Sequence, residues 1–187
     1  EEVDSFLKKT RFGYDLLPSN RDLIGAELDL VDANDREYRL SDQISKLAYQ
    51  YDYIIIDCPP SLSLLTLNGL CASSGILIPM QCEYFALEGL SDLVNSVKLV
   101  HANLNSKHSS IGLLRVMFDP RVTLSQDVSA QLLEHFGRKV FSTIIPKNVR
   151  LAEAPSHGLP ITHYDKSSRG SVAYQEFGKE LLNRFST

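Results

Sequence analysis

The chain has 187 residues, 43% hydrophobic and 22% charged, with a net charge of −4. That balance suits one folded domain and excludes a disordered, fibrous or uniformly basic nucleic-acid-binding protein. The charge is uneven, however: residues 1–106 carry 8 Lys/Arg against 16 Asp/Glu, and residues 107–187 carry 11 against 7, so the second half can offer phosphates a local basic patch. Cys58, Cys71 and Cys82 lack metal-ligand spacing and read as reduced, partly buried thiols, and the five histidines stand apart. Glu1-Glu2 does not open a signal peptide. The uncharged stretch 58–82 is broken by Pro59, Pro60, Gly69, Gly75 and Pro79 into turn, helix and strand, and does not read as a membrane span.

In chain order, Tyr14–Leu17 predicts a short strand closed by Pro18, and residues 21–30 and 40–51 predict amphipathic helices, the second capped by Ser41 or Asp42. Tyr53-Ile54-Ile55-Ile56-Asp57 predicts a strand buried on both faces, ending in a carboxylate and the turn Cys58-Pro59-Pro60. A helix over 63–73, a strand over 75–79 and a helix over 86–103 follow. Next come a strand over 111–118, a helix over 123–136 ended by Gly137, a strand over 139–145 and a last helix over 171–185. In the 123–136 helix, Leu124, Val128, Leu132 and Phe136 share one face. Strands separated by helices of this length imply right-handed βαβ units in a mostly parallel, doubly wound α/β sheet, and residues 1–187 read as one domain. A helix-turn-helix reading of Thr123–Ala130 fails because the strand-like Val140-Phe141 stands where a recognition helix should begin.

From the residues alone, Asp57 is either a strand-tip carboxylate at the end of the sheet where α/β folds bind ligands, or the first residue of a simple turn. A strand-tip carboxylate can orient a magnesium-bound water, since magnesium keeps several waters and needs only one or two carboxylates. Arg121 and Arg150, taken alone, read as surface partners of Asp119 and Glu153.

Three further blocks restrict these choices: Ser61–Asn68, Pro79–Leu90, and Ile145-Pro146-Lys147-Asn148-Val149-Arg150-Leu151-Ala152-Glu153-Ala154-Pro155-Ser156. With the Ile-Ile-Asp-Cys-Pro-Pro run, in this order and spacing, they resemble the ParA/Soj family of partition ATPases, which belongs to the deviant Walker-A P-loop class and is related to MinD. The resemblance runs from Leu17 to Gly170. It implies a P-loop NTPase fold, truncated at the N-terminus: the strand, Gly-rich lysine loop and helix that the family carries ahead of this segment are absent, so residues 1–187 form a partial ATPase domain unable by itself to bind ATP.

The resemblance also implies roles for individual residues. Asp57 is the catalytic, magnesium-orienting aspartate, acting through water, and Cys58, Pro59 and Pro60 form the switch that senses the γ-phosphate. Pro146 and Asn148 contact the adenine base. Glu83 reaches nucleotide across a dimer, or is an exposed loop carboxylate. Arg121 and Arg150 bind DNA without sequence preference, through guanidinium forks that suit phosphate oxygens. Tyr164–Gly170 lacks the proline usual in this loop, which implies a less rigid loop. The function so implied is a cytoplasmic, nucleoid-associated chromosome- or plasmid-partition ATPase using ATP and magnesium. It dimerises with ATP, coats DNA, and is stimulated by a ParB-type centromere-binding partner. The alternatives are a non-catalytic truncated paralogue acting as an interaction protein, and a membrane-associated relative like MinD. The short end Leu181–Thr187 carries no basic amphipathic helix and argues against the last.

Overall fold

The computed structural model of the chain describes residues 3–104 and 110–185. These form two compact units, Glu1–Ser74 with Val97–His108, and Gly75–Ser96 with Ser109–Thr187.

In the first unit, β1 (Lys8–Lys9) and β2 (Asp15–Leu16) pair antiparallel. Asp15 is held there by Lys9 at 2.9 Å and by the Tyr51 hydroxyl at 2.7 Å. Helix α1 (Leu23–Leu30) follows, then α2 (Arg39–Leu47) and α3 (Leu64–Ala72). Buried Asn68 joins the last two: its Oδ1 accepts from Leu40 N at 3.1 Å, and its Nδ2 donates to Arg36 O and Leu64 O at 2.8 and 2.9 Å. It thereby satisfies one of the free N–H groups that open α2. The Ser41 or Asp42 cap expected from the sequence is absent, and α2 starts at Arg39.

The expected strand Tyr53–Asp57 is also corrected. The segment joins no ladder among the described residues, and Tyr53, Ile54 and Ile55 are exposed, Ile55 at 87%. The apolar run is strand-like by composition, but a strand exists only through neighbours that take its hydrogen bonds.

The second unit has the layered α/β form. Strands β3 (Gly75–Gln81), β4 (Ser110–Phe118) and β5 (Val140–Pro146) lie parallel in that order. Helix α4 (Tyr84–Asn103) begins in this unit, α5 (Thr123–Phe136) joins β4 to β5, and α8 (Arg169–Phe185) closes the chain, after the short α6 (Val149–Glu153) and α7 (Ile161–Tyr164). One face of the sheet packs Ile78, Met80 and Leu113 on Leu90 and Val94 of α4 and Val128 and Leu132 of α5. The other packs Leu114, Phe141 and Ile145 on Ala173 and Phe177 of α8. Burying each such side chain contributes about 1.5–3 kcal/mol. On α5, Val128 and Leu132 are buried and Phe136 packs on the core as the period requires, but Leu124 is exposed.

Two features set the height of the loops. A Cβ at Gly112 would lie 2.5 Å from the Phe141 ring, so glycine makes room for that ring, which meets Phe177 edge to face at 5.0 Å. The buried Arg115 then spans the seam between β4 and β5: it donates to Ser129 Oγ at 2.8 Å, Phe141 O at 2.8 Å and Ser142 O at 3.1 Å, where the register shifts.

Candidate functional site

Asp57 lies in the first unit at the end of the exposed run, and its carboxylate makes no hydrogen bond or ion pair among the described residues. Cys58 reaches solvent, yet its sulfur rests on α3, where a Cβ at Gly69 would stand 2.6 Å from it. That desolvation, and then the Asp57 charge, push the Cys58 thiol up, so it is protonated at neutral pH. Pro59 and Pro60 are exposed. Beyond them the chain is fixed again, with Thr66 Oγ1 donating to Ser61 O at 2.6 Å and Glu27 accepting from Leu64 N at 2.8 Å. Glu27 of α1 therefore supplies the N-terminal cap of α3, which Ser63 does not. The segment 58–62 is thus pinned at its far end and open at Asp57. Sequence reasoning missed Glu27, since nothing local marks a cap that comes from 37 residues away.

In the second unit, Phe118 of β4 is level with Pro146 of β5, and Lys147 N donates to Phe118 O at 2.9 Å. Beside them is an open cavity of about 400 Å³ with an apolar wall of Phe118, Pro120, Ile144 and Pro146, and with Arg169 and Glu176 of α8 on its other side. Pro146 lines this cavity and Asn148 does not. Asn148 is instead the N-cap of α6, its Oδ1 accepting from Arg150 N at 2.9 Å. Glu83 stands exposed between β3 and α4. Met117 has φ 51°, a left-handed conformation that is costly for a side chain bearing a Cβ, so the chain leaves β4 through a strained residue.

Arg121 and Arg150 leave the carboxyl ends of these two adjacent strands, and both are already paired. Arg121 grips Asp119 with both prongs, Nε to Oδ1 at 2.9 Å and Nη2 to Oδ2 at 2.7 Å, while its backbone N–H donates to Oδ1 at 3.0 Å. These bonds, with the nearby Lys147 charge, hold the Asp119 carboxyl well below the usual carboxylate range. Arg150 donates to Glu153 at 2.8 Å and lies 3.5 Å from Asp165. Glu153 also accepts from the Tyr164 hydroxyl at 3.2 Å, and its carboxyl is lowered chiefly by Arg150. The loop that lacks the family proline is held by Asp165, whose Oδ1 accepts from Ser167 N and Ser168 N at 3.2 and 3.0 Å.

Comparison with known proteins fits this arrangement. Residues 2–110 match the model of an AAA domain family. An uncharacterised protein of Pseudomonas putida is 56% identical over 92% of this chain, and the chain spans 65% of its length. The sporulation initiation inhibitor protein Soj of Bacillus subtilis is 48% identical over 96% of the chain and 71% of its own length. This chain belongs to the ParA/Soj family of partition ATPases. Among solved structures, a cobyrinic acid a,c-diamide synthase of Mycobacterium smegmatis with bound ATP analogue and magnesium superposes on the whole chain, over 70% of its own, with a TM-score of 0.86 and 34% identity. The Pyrococcus furiosus cell division ATPase MinD shares the fold, with a TM-score of 0.77 at 19% identity over 98% of this chain and 72% of its own. The fold of this ParA/Soj chain is therefore that of the P-loop NTPases. No helix among its described residues is long and apolar enough to cross a membrane.

Proposed function

We propose that this ParA/Soj chain acts in an ATP-driven partition switch that holds DNA without reading its sequence. The observation that carries the reading is the carboxyl edge of the second unit, where two arginines leave the ends of adjacent parallel strands beside an apolar cavity of a size, about 400 Å³, suited to a small ligand. In this reading the wall of Phe118 and Pro146 receives the adenine base, with Asn148 held close by its capping bond. Asp57, exposed and uncommitted, orients a magnesium-bound water, and the Cys58-Pro59-Pro60 turn follows the γ-phosphate, proline restricting it to few conformations. Magnesium would supply neutralisation of the charge that develops on the transferred phosphoryl group. Glu83 reaches nucleotide across an ATP-dependent homodimer, and a ParB-type centromere-binding protein accelerates hydrolysis. The names and bound nucleotide of the relatives support this assignment.

The test uses a protein in which the family's lysine-bearing phosphate loop is joined ahead of this sequence. Asp57→Ala there is expected to reduce single-turnover ATP hydrolysis at least tenfold while nucleotide binding changes far less, because the carboxylate acts on the metal's water and not on the base. Unchanged hydrolysis would remove Asp57 from the reaction.

A further inference from the structure

Resting on the DNA reading above, we infer that Asp119 and Glu153 are built-in substitutes for DNA phosphate, so that this chain takes up DNA by exchanging a carboxylate of its own for a phosphodiester at each arginine. A guanidinium recognises a carboxylate and a phosphate through the same planar fork of parallel N–H donors. In Arg121 that fork is filled: Asp119 takes both prongs, at 2.9 and 2.7 Å, although the arginine side chain is 87% exposed and free to turn outward. Arg150 repeats the arrangement on the neighbouring strand end, with Glu153 at 2.8 Å and Asp165 at 3.5 Å. The recurrence at both arginines argues against chance surface pairing. Each DNA contact therefore begins from a pair of zero net charge, and the approaching phosphate must displace an anion that is already bound. Affinity is held below what the arginines could deliver, and a released carboxylate waits within two or three residues to recapture its partner.

Asp119→Asn isolates this effect, because the amide oxygen can still accept from Arg121 N and keep the turn, while the charge that competes with phosphate is gone. In the joined protein with ATP, binding to DNA of mixed sequence is measured by anisotropy at several salt concentrations. Asp119→Asn is expected to tighten binding about two- to fivefold, the range set by the worth of an exposed ion pair. Its plot of log affinity against log salt should run parallel to the parent's, since the counterions released come from the DNA and the number of phosphate contacts is unchanged. Asp119→Asn/Glu153→Gln should roughly multiply the gain. Asp119→Asn in the Arg121→Ala background should give no gain, and neither should Asp127→Asn, which removes an equal charge from an exposed residue of α5 that bonds no arginine. Unchanged or weaker binding by Asp119→Asn, or an equal gain from Asp127→Asn, overturns the inference while leaving the DNA reading intact. If Arg121→Ala and Arg150→Ala bind DNA like the parent, the DNA reading itself falls.

Discussion

Replacing Glu180 by glutamine removes the carboxylate that closes the free edge of β5, the strand whose carboxyl end carries Pro146, Asn148 and Arg150. Glu180 of α8 accepts from Ser142 N at 2.7 Å, Thr143 N at 2.8 Å and Thr143 Oγ1 at 2.7 Å, and Arg184 approaches it at 2.9 Å. Burial opposes the charged form, but the bonds outweigh it and bring the Glu180 carboxyl down from 4.5 to about 2. A difference of about 2.5 units corresponds to about 3 kcal/mol of folding stability at neutral pH, somewhat less for a side chain that keeps 21% of its surface in solvent. Because the folded carboxyl titrates below the unfolded one, this contribution is complete above pH 4.5 and is lost as the pH falls toward 2. Glutamine keeps one acceptor oxygen but turns an amide donor toward N–H groups that cannot accept it. Urea unfolding followed by circular dichroism should therefore show Glu180→Gln less stable by about 2–3 kcal/mol at pH 7, with the difference shrinking by about 2 kcal/mol at pH 3. A difference below about 0.5 kcal/mol at pH 7, or one that is the same at both pH values, would refute the assignment of this strand edge to Glu180.

The same measurement applies to the polar groups inside each unit. Arg115→Met should cost about 2–4 kcal/mol, because Phe141 O, Ser142 O and Ser129 Oγ lose their shared donor; a neutral result would mean that the seam between β4 and β5 closes by itself. Asn68→Ala should cost about 2 kcal/mol in the first unit by uncapping α2 and leaving Arg36 O and Leu64 O without their donor, and an unchanged melting temperature would contradict this. Calorimetry of the 187-residue chain with Mg-ATP is expected to show no affinity tighter than about 1 mM, since the phosphates have no lysine loop to cradle them; micromolar binding would mean that phosphate donors exist elsewhere in the chain. In the joined protein, Arg121→Ala and Arg150→Ala should each lower the salt slope of DNA binding by about 0.9, equally for all DNA sequences, and a sequence-dependent loss would defeat the phosphate assignment.

What could be read in the sequence was whatever depends on neighbours along the chain. Helix α5 runs from Thr123 to Phe136 as its apolar period and Gly137 foretell, and that glycine adopts φ 49°, which is why the helix stops there. The strands at 75, 110 and 140 lie within two residues of their expected ends, because strands buried on both faces leave continuous apolar runs. Contributions from distant residues could not be read. Asn68 caps α2 and Glu27 caps α3 across 28 and 37 residues, so local cap signals at Ser41, Asp42 and Ser63 pointed to bonds that do not form. Tyr53–Asp57 failed as a strand for the same reason, since apolar composition supplies no ladder partner. The arginines were legible twice over: the residues alone pointed to pairing with Asp119 and Glu153, and those pairs are present, while the family resemblance pointed to DNA.

The two seams of the sheet differ in a way that bears on how this surface can change during evolution. Strands β3 and β4 advance together through seven consecutive pairs, so an insertion in either would turn every later side chain to the opposite face and carry core leucines into water. The seam between β4 and β5 already contains two register shifts, bridged by Arg115, and has absorbed such slips without losing its core. A lineage that needs the Arg150 turn raised, lowered or rotated against the Arg121 turn can gain it by moving a bulge within residues 141–145, leaving untouched the loops that carry the arginines. Divergence in how firmly relatives grip DNA should therefore be sought in the interior of the sheet as much as on its charged rim.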